Sequence, residues 1–220
     1  NSSNLPFSYI LRVPFTHMTS SHRLTPQRLV LLSLFIAIII VQSIVPFWGY
    51  ITVGVVSITL IQLTVAISAI LLGSRAGVLT GFAWGLLSFI RSWTSPASPL
   101  AVLMFHNPFI AILPRMLVGL FAGIVYNMIR KRKGQVLAAS LAGLTASVTN
   151  TILVLGLSAI FFIGFHATMG SISGGQWLWI LVGIGTNNGI FEGIFSFIVT
   201  PIIVTPLLRS SHFKHLLQGD

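Results

Sequence analysis

Long apolar stretches, separated by short polar or glycine-rich breaks, make up most of this chain of 220 residues. Many of these stretches approach the roughly 20 residues that a helix needs to cross a hydrocarbon core. Thr25 is a suitable N-cap for the first helix, and Pro26 suits its first position. The pattern predicts an all-α integral membrane protein with six transmembrane helices, at about residues 25–45, 53–72, 76–89, 108–129, 135–163 and 177–208.

The composition excludes an ordinary soluble domain. Hydrophobic residues make up 55% of the chain and charged residues only 6%, whereas soluble domains carry about 25% charged residues. The formal charge of +10 would suggest a nucleic-acid partner in a soluble protein, but the basic residues lie beside membrane spans. Orientation in the bilayer and anionic lipid headgroups therefore explain them better, and we expect no nucleic-acid partner.

The start of the chain does not follow the pattern of the rest. Met18 begins a polar stretch that leads into the first span, so residues 1–17 are interpreted as a leader or an added extension. A short interfacial helix is the alternative. We expect residues 18–220 to form a single membrane domain.

The basic residues predict the orientation of the six spans. With this topology, ten of the 12 Lys and Arg residues fall on one side, so both termini are expected to be cytoplasmic. Tryptophans mark the opposite boundary, as an aromatic belt would. The ten basic residues are Arg12, Arg23, Arg28, Arg75, Arg130, Lys131, Arg132, Lys133, Arg209 and Lys214, and the belt consists of Trp48, Trp93, Trp177 and Trp179.

Small residues recur at intervals of four, which predicts close helix packing, because Gly and Ala let helix backbones approach in lipid. Ser33 and Ala37 form a weaker pair on the first span that could face another chain. The glycine stripes are Gly73, Gly77, Gly81 and Gly85 on span three, Gly119 and Gly123 on span four, and Gly185, Gly189 and Gly193 on span six.

The chain carries few groups for catalysis. Its only acids are Glu192 and Asp220, cysteine is absent, and no GxxxxGK[ST], HExxH or GxSxG motif occurs. Hydrolytic, metal and thiol chemistry are therefore not expected, and no cofactor or metal is predicted. A proton pump would also need a relay of ionisable groups.

A set of polar and aromatic residues in spans three to six predicts a binding pocket. An arginine in hydrocarbon costs roughly 2.5–3.5 kcal/mol on insertion scales, so it usually has a functional partner. Two cations and several amides in the outer half suit a small anion with amide or hydroxyl groups. The candidates are Arg91, Arg115, Asn150, Asn187, Asn188, Trp84 and Asn107.

Each candidate also has a structural explanation. The asparagines can bridge neighbouring helices, and Arg91 can extend its charge to the interface. Arg115 either pairs with Glu192 or meets an anionic ligand, and both alternatives stay open at this point.

Several segments resemble the substrate-binding S components of energy-coupling factor (ECF) vitamin transporters, over about residues 24–208. They are FIAIIIVQSIVPFWGYITVG, AILLGSRAGVLTGFAWGLLSFI and NNGIFEGIFSFIVTPIIV. PRMLVGLFAGIVY and the Asn/Glu pattern of span six are most similar to the pantothenate-type members.

The resemblance implies a binding subunit without catalytic residues. Such subunits bind a vitamin at the outer face, under the loops after spans one, three and five. They then associate with a transmembrane coupling subunit and two cytoplasmic ATPases, and are thought to topple to release the substrate inward. The family contacts the coupling subunit through small residues of span one, and Ser33 and Ala37 occupy the matching positions.

The expected substrate is pantothenate, whose carboxylate, amide and hydroxyls match arginine and asparagine side chains. A neutral hydroxymethyl-pyrimidine is the main rival, and biotin, niacin and folate share the carboxylate. A stand-alone secondary transporter or channel is the alternative class, and an intramembrane enzyme is a more distant one.

Overall fold

The computed structural model describes residues 26–45, 48–53, 56–95, 102, 104–164 and 174–210. Some of the predictions above concern residues outside this part of the chain: residues 1–17, the loop residues 96–101 and 165–173, Lys214 and Asp220. The main helices are α1 (Pro26–Ile44), α2 (Ile61–Leu72), α3 (Ser74–Thr94), α4 (Pro108–Lys133), α5 (Gln135–Gly164) and α6 (Gly174–Arg209). Two strands, β1 (Tyr50–Val53) and β2 (Val56–Thr59), lie between α1 and α2.

Four of these helices are long and apolar enough to cross a membrane: α1, α4, α5 over Gln135–Phe161, and α6 over Gly185–Arg209. Helix α2 is apolar but has only 12 residues. Helix α3 has 21 residues and carries Arg75 and Arg91. The structure therefore confirms a multi-span helical protein with six main helices.

The prediction for the second span is wrong in its first half. Residues 53–60 were expected to be helical, but β1 and β2 pair antiparallel there, with Tyr50 opposite Thr59 and Val53 opposite Val56. The backbone N–H of Leu60 donates to the Gly49 carbonyl at 2.8 Å, which closes the open end of the hairpin. The physical reason is local, because Val, Ile and Thr dominate this stretch and β-branched residues favour strands.

Helix α2 lies at the centre of the described bundle. It packs against α1, α3, α4, α5 and α6, and every residue from Ile61 to Leu71 is buried. A helix that is apolar on all sides is suited to such a position. Its 12 residues extend only ~18 Å at 1.5 Å per residue, so it is shorter than the ~30 Å hydrocarbon core.

Glycine stripes bring α3 and α4 into backbone contact, as predicted. The two helices are antiparallel, and a Cβ at Gly119 would collide with the Gly77 carbonyl, while one at Gly81 would collide with the carbonyl of Arg115. Gly73 departs from the prediction, since it joins α2 to α3 with φ +100° and a Cβ added there would meet no atom within 4 Å. On α6, Gly185 and Gly189 face Leu155 and Thr151 of α5.

Candidate functional site

The guanidinium of Arg115 lies between two aromatic rings. Its Cζ is 4.4 Å from the ring centroid of Phe105 and 5.1 Å from that of Trp84, and its Nη1 donates to the Ile110 carbonyl at 2.7 Å. Arg115 is only 3% exposed and Trp84 only 1%. Cation–π contacts strengthen when the cation is desolvated. The chain therefore holds one cation in a defined place inside the bundle.

Helix packing places several predicted residues at a similar depth. Helices α4 and α5 meet at Gly134. Arg115 lies 19 residues before Gly134 on α4, and Asn150 lies 16 residues after Gly134 on α5. At 1.5 Å per residue, their depths differ by only ~5 Å. Thr151 in turn lies against Gly189, the residue after Asn188. The structure thus brings Arg115, Asn150 and Asn188 to one level of the bundle.

Some buried polar atoms at this level have no hydrogen-bond partner in the described part of the chain. They include Oδ1 of Asn150 and Nε1 of Trp84. An unsatisfied buried polar group costs about 1–3 kcal/mol. An amide oxygen and an indole N–H could instead serve a ligand that offers a donor and an acceptor, so these atoms suit a binding role.

Asn187 and Asn188 differ in their surroundings. Asn187 is exposed, and its Nδ2 donates to the Gly183 carbonyl of its own helix at 3.2 Å. Asn188 is half-buried. Of the two, Asn188 is therefore the better candidate, and a binding role for either stays a prediction.

Arg91 and Asn107 lie farther from Arg115. Arg91 is ten residues beyond Gly81 on α3, or ~15 Å along the helix, and its Nη1 donates to the Ser43 carbonyl at the end of α1. Asn107 is the N-cap of α4, where its Oδ1 accepts from the Phe109 N–H at 3.0 Å. Both side chains have structural partners, and their roles in binding stay predictions.

A buried carboxylate connects α6 to the hairpin, which the sequence did not indicate. Glu192 is 5% exposed, and its Oε1 accepts from the Thr59 N–H at 2.8 Å, just before α2 begins. A negative charge at the N-terminal end of a helix is favourable. Glu192 therefore has a structural partner, the Thr59 N–H, that is neither Arg115 nor a ligand.

Further side-chain contacts hold the start of α2 in place. Nε2 of Gln62 donates to the Ser196 hydroxyl of α6 at 3.4 Å, and the Thr64 hydroxyl donates to Oε1 of Gln42 on α1 at 2.9 Å. Phe105, Thr59 and Gln62 were all missed by sequence reasoning. The strand-like composition before α2 was the one signal that could have revealed the hairpin, and hence Thr59.

The contact between Glu192 and Thr59 predicts a graded effect of substitution. Glu192→Ala leaves the N–H of the half-buried Thr59 without its acceptor, so we expect a loss of about 1–3 kcal/mol of stability, seen as a lower melting temperature in detergent. Glu192→Gln retains a carbonyl acceptor and should lose less. Faster hydrogen exchange at the Thr59 amide in the alanine variant would locate the effect, and equal melting temperatures for both variants would contradict this role.

Comparison with known proteins agrees with this architecture. The model of the family described as ECF transporter, substrate-specific component, matches residues 27–204. The pantothenate transporter PanT of Leuconostoc mesenteroides is 40% identical, over 80% of this chain and 89% of that protein. The pantothenic acid transporter PanT of Lactococcus lactis is 32% identical, over 82% and 93%.

A solved structure supports the fold. ThiT from Listeria monocytogenes superimposes with a TM-score of 0.57 at 20% identity, over 82% of this chain and 96% of that chain. At this identity the likeness concerns the arrangement of helices alone. Since the family match spans most of the sequence and two relatives exceed 30% identity, the chain belongs to the substrate-specific components of ECF transporters, as a multi-pass membrane protein.

Proposed function

We propose that this chain binds pantothenate at the outer side of the membrane. It would deliver the vitamin inward together with a transmembrane coupling subunit and two ATPases, and it would not itself be an enzyme. The observation that carries the proposal is the 40% identity to a pantothenate transporter over most of both chains. The family membership supports the requirement for partner subunits.

The surroundings of Arg115 suit a ligand with one carboxylate. An arginine–carboxylate contact is charge-assisted and can be bidentate, so it would orient one end of the vitamin. The ring of Trp84 lies 5.1 Å from the guanidinium carbon of Arg115 and would offer apolar surface for the dimethyl group of pantothenate. Asn150 lies at a similar depth and could serve the amide or hydroxyls. We therefore assign the main binding contacts to Arg115, Trp84 and Asn150, and secondary ones to Asn188, Asn187, Arg91 and Asn107.

A hydroxymethyl-pyrimidine is the main rival substrate. The rings of Trp84 and Phe105 and the Ile110 carbonyl already stabilise the Arg115 cation, so a neutral ligand is compatible with this site. The similarity to two pantothenate transporters favours the carboxylate ligand. A stand-alone transporter or channel has less support, because the family is that of a substrate-specific component.

The role of Arg115 predicts a loss of pantothenate affinity on substitution. Arg115→Ala should weaken binding by at least ~1.5–3 kcal/mol, the scale of a hydrogen bond to a charged group, in a calorimetric titration of the purified chain. Arg115→Lys keeps the charge but not the bidentate geometry, so its affinity should be intermediate. Arg130→Ala is a matched control, because Arg130 is on the same helix and contacts Tyr126 instead.

The same titration tests the substrate against a panel of pantothenate, hydroxymethyl-pyrimidine, biotin, niacin and folate. Binding of the pyrimidine without pantothenate would overturn the assignment. Pantothenate binding that is indifferent to both Arg115 and Arg91 would overturn the site. The melting temperature of each unliganded variant separates lost contacts from lost folding.

We also propose that both termini face the cytoplasm. The four basic residues at the end of α4 and Arg209 at the end of α6 would then share one side, as the positive-inside rule favours. Trp48, Trp93 and Trp179, which are 63–77% exposed, would lie near the other boundary. Because the chain has no cysteine, Lys133→Cys should react with an impermeant maleimide only after cell lysis. Reaction in intact cells would reverse the orientation.

The coupling subunit is proposed to dock on α1 around Ser33 and Ala37. Both residues are exposed, and they form a shallow notch among larger exposed apolar residues on the same helix face: Val30, Leu34, Val41 and Ile44. Small residues allow a partner helix to approach closely. This face would be available to the coupling subunit because it does not pack within the bundle.

A bulky residue in this notch should separate assembly from binding. Ala37→Phe is expected to reduce co-purification of the coupling subunit at least tenfold, because the side chain blocks close approach, while leaving vitamin affinity unchanged. Gly156→Phe is the control, since Gly156 is exposed on α5 with no atom within 4 Å of a Cβ. Equal loss of assembly and vitamin binding in the Ala37 variant would mean that the substitution only disrupts the fold.

A further inference from the structure

A basic cleft lies at the end of the bundle opposite the candidate binding site. It has a volume of about 680 Å³ and is formed where the start of α3 meets the last turns of α4. Its polar lining comes from Lys131, Arg132, Lys133, Asn127 and Ser74. Three cations and two hydrogen-bonding side chains therefore surround one open space.

Within the part of the chain that the structure describes, no carboxylate supplies a counter-charge for this cleft. The two acids of the chain are Glu192 and Asp220. Glu192 is engaged by the Thr59 N–H, and Asp220 lies outside the described residues. The neighbouring Arg130 is turned to the ring of Tyr126, at 5.9 Å from its centroid. No described residue therefore offers an anion to Lys131, Arg132 and Lys133, and the open cleft leaves room for one from another molecule.

The cleft continues into an apolar surface on the same side of α4. Ile124 and Met128 line it and are 39% and 67% exposed. Phe121, one turn further toward the membrane centre, is 40% exposed. Residues spaced by three and four share one helix face. A cationic helix end followed by an exposed apolar strip is complementary to a phospholipid. The lipid phosphate would lie at the helix end, and the acyl chains would lie along the helix.

We propose that this cleft binds the headgroup phosphate of an anionic phospholipid, with the acyl chains along Ile124 and Met128. Basic pockets beside membrane helices recognise such headgroups, and each Lys or Arg near the surface adds to the attraction. The exposed apolar strip favours a lipid over free phosphate. The surface assigned to the coupling subunit consists of α1 residues, whereas the cleft is lined by the end of α4 and by Ser74 of α3, so the two surfaces are distinct.

Lipid binding can be measured on the full chain purified in detergent. Phosphatidylglycerol should raise the melting temperature and persist as an adduct in native mass spectrometry, more than phosphatidylcholine or inorganic phosphate at equal concentration. The triple variant Lys131→Gln, Arg132→Gln, Lys133→Gln should lose the adduct and at least half of the thermal shift. The charge-matched control Arg23→Gln, Arg209→Gln, Lys214→Gln should retain both.

Several results would overturn the proposal. An equal shift with phosphatidylcholine would mean apolar contact alone, and an equal shift with inorganic phosphate would mean a free-anion site. Equal losses in the cleft variant and the control would mean unspecific charge attraction. Unchanged phosphatidylglycerol binding with impaired co-purification of the coupling subunit would make the cleft a protein-docking surface. If the triple variant does not fold, Arg132→Gln alone serves the same comparison against Arg209→Gln.

Discussion

The interior of a membrane offers no water to polar groups, and this constraint explains the arrangement around α2. Every backbone N–H and C=O at that depth needs a partner within the protein. Helix α2 covers only ~18 Å, so the chain before it must satisfy its backbone in another way. The β1–β2 hairpin pairs part of these groups across its two strands, and Glu192 accepts the N–H of Thr59 at the junction. The carboxylate thus supplies an acceptor for one more backbone group before α2.

The same constraint makes Arg115 informative. Its side chain is held by Trp84, Phe105 and the Ile110 carbonyl, while Gly81 allows α3 to approach the Arg115 backbone. The cation is therefore fixed before any ligand arrives, and a fixed charge loses less entropy on binding than a mobile one. A carboxylate that enters this environment meets a partner whose orientation is already set by packing.

The two ends of the bundle carry different chemistry. One end combines a single buried cation with aromatic rings and amide groups, which suits recognition of a small polar molecule. The other end concentrates Lys131, Arg132 and Lys133 in an open cleft, which suits lipid phosphate. Between them, the exposed notch of Ser33 and Ala37 lies on α1, and α3 separates this helix from α4. Substrate, lipid and coupling subunit can consequently be assigned to separate surfaces.

Hydropathy predicted the membrane class and six helical segments, because lipid imposes length and apolarity on any spanning helix. The four-residue spacing of small residues predicted the packing role of Gly77, Gly81 and Gly119. Arg115 was also identifiable, since a charge in an apolar run is costly. The hairpin was not, because residues 53–60 are as apolar as a helix and their β-branched composition is a weaker signal. The partners of Arg115 and Glu192 were not identifiable either, because they lie on other segments: Phe105 for Arg115 and Thr59 for Glu192. Arg91, which was predicted to share the pocket with Arg115, contacts the end of α1 instead. Sequence determined which groups must find partners in the bilayer, but only tertiary packing decided which partners they find, because those contacts join residues as much as 134 positions apart.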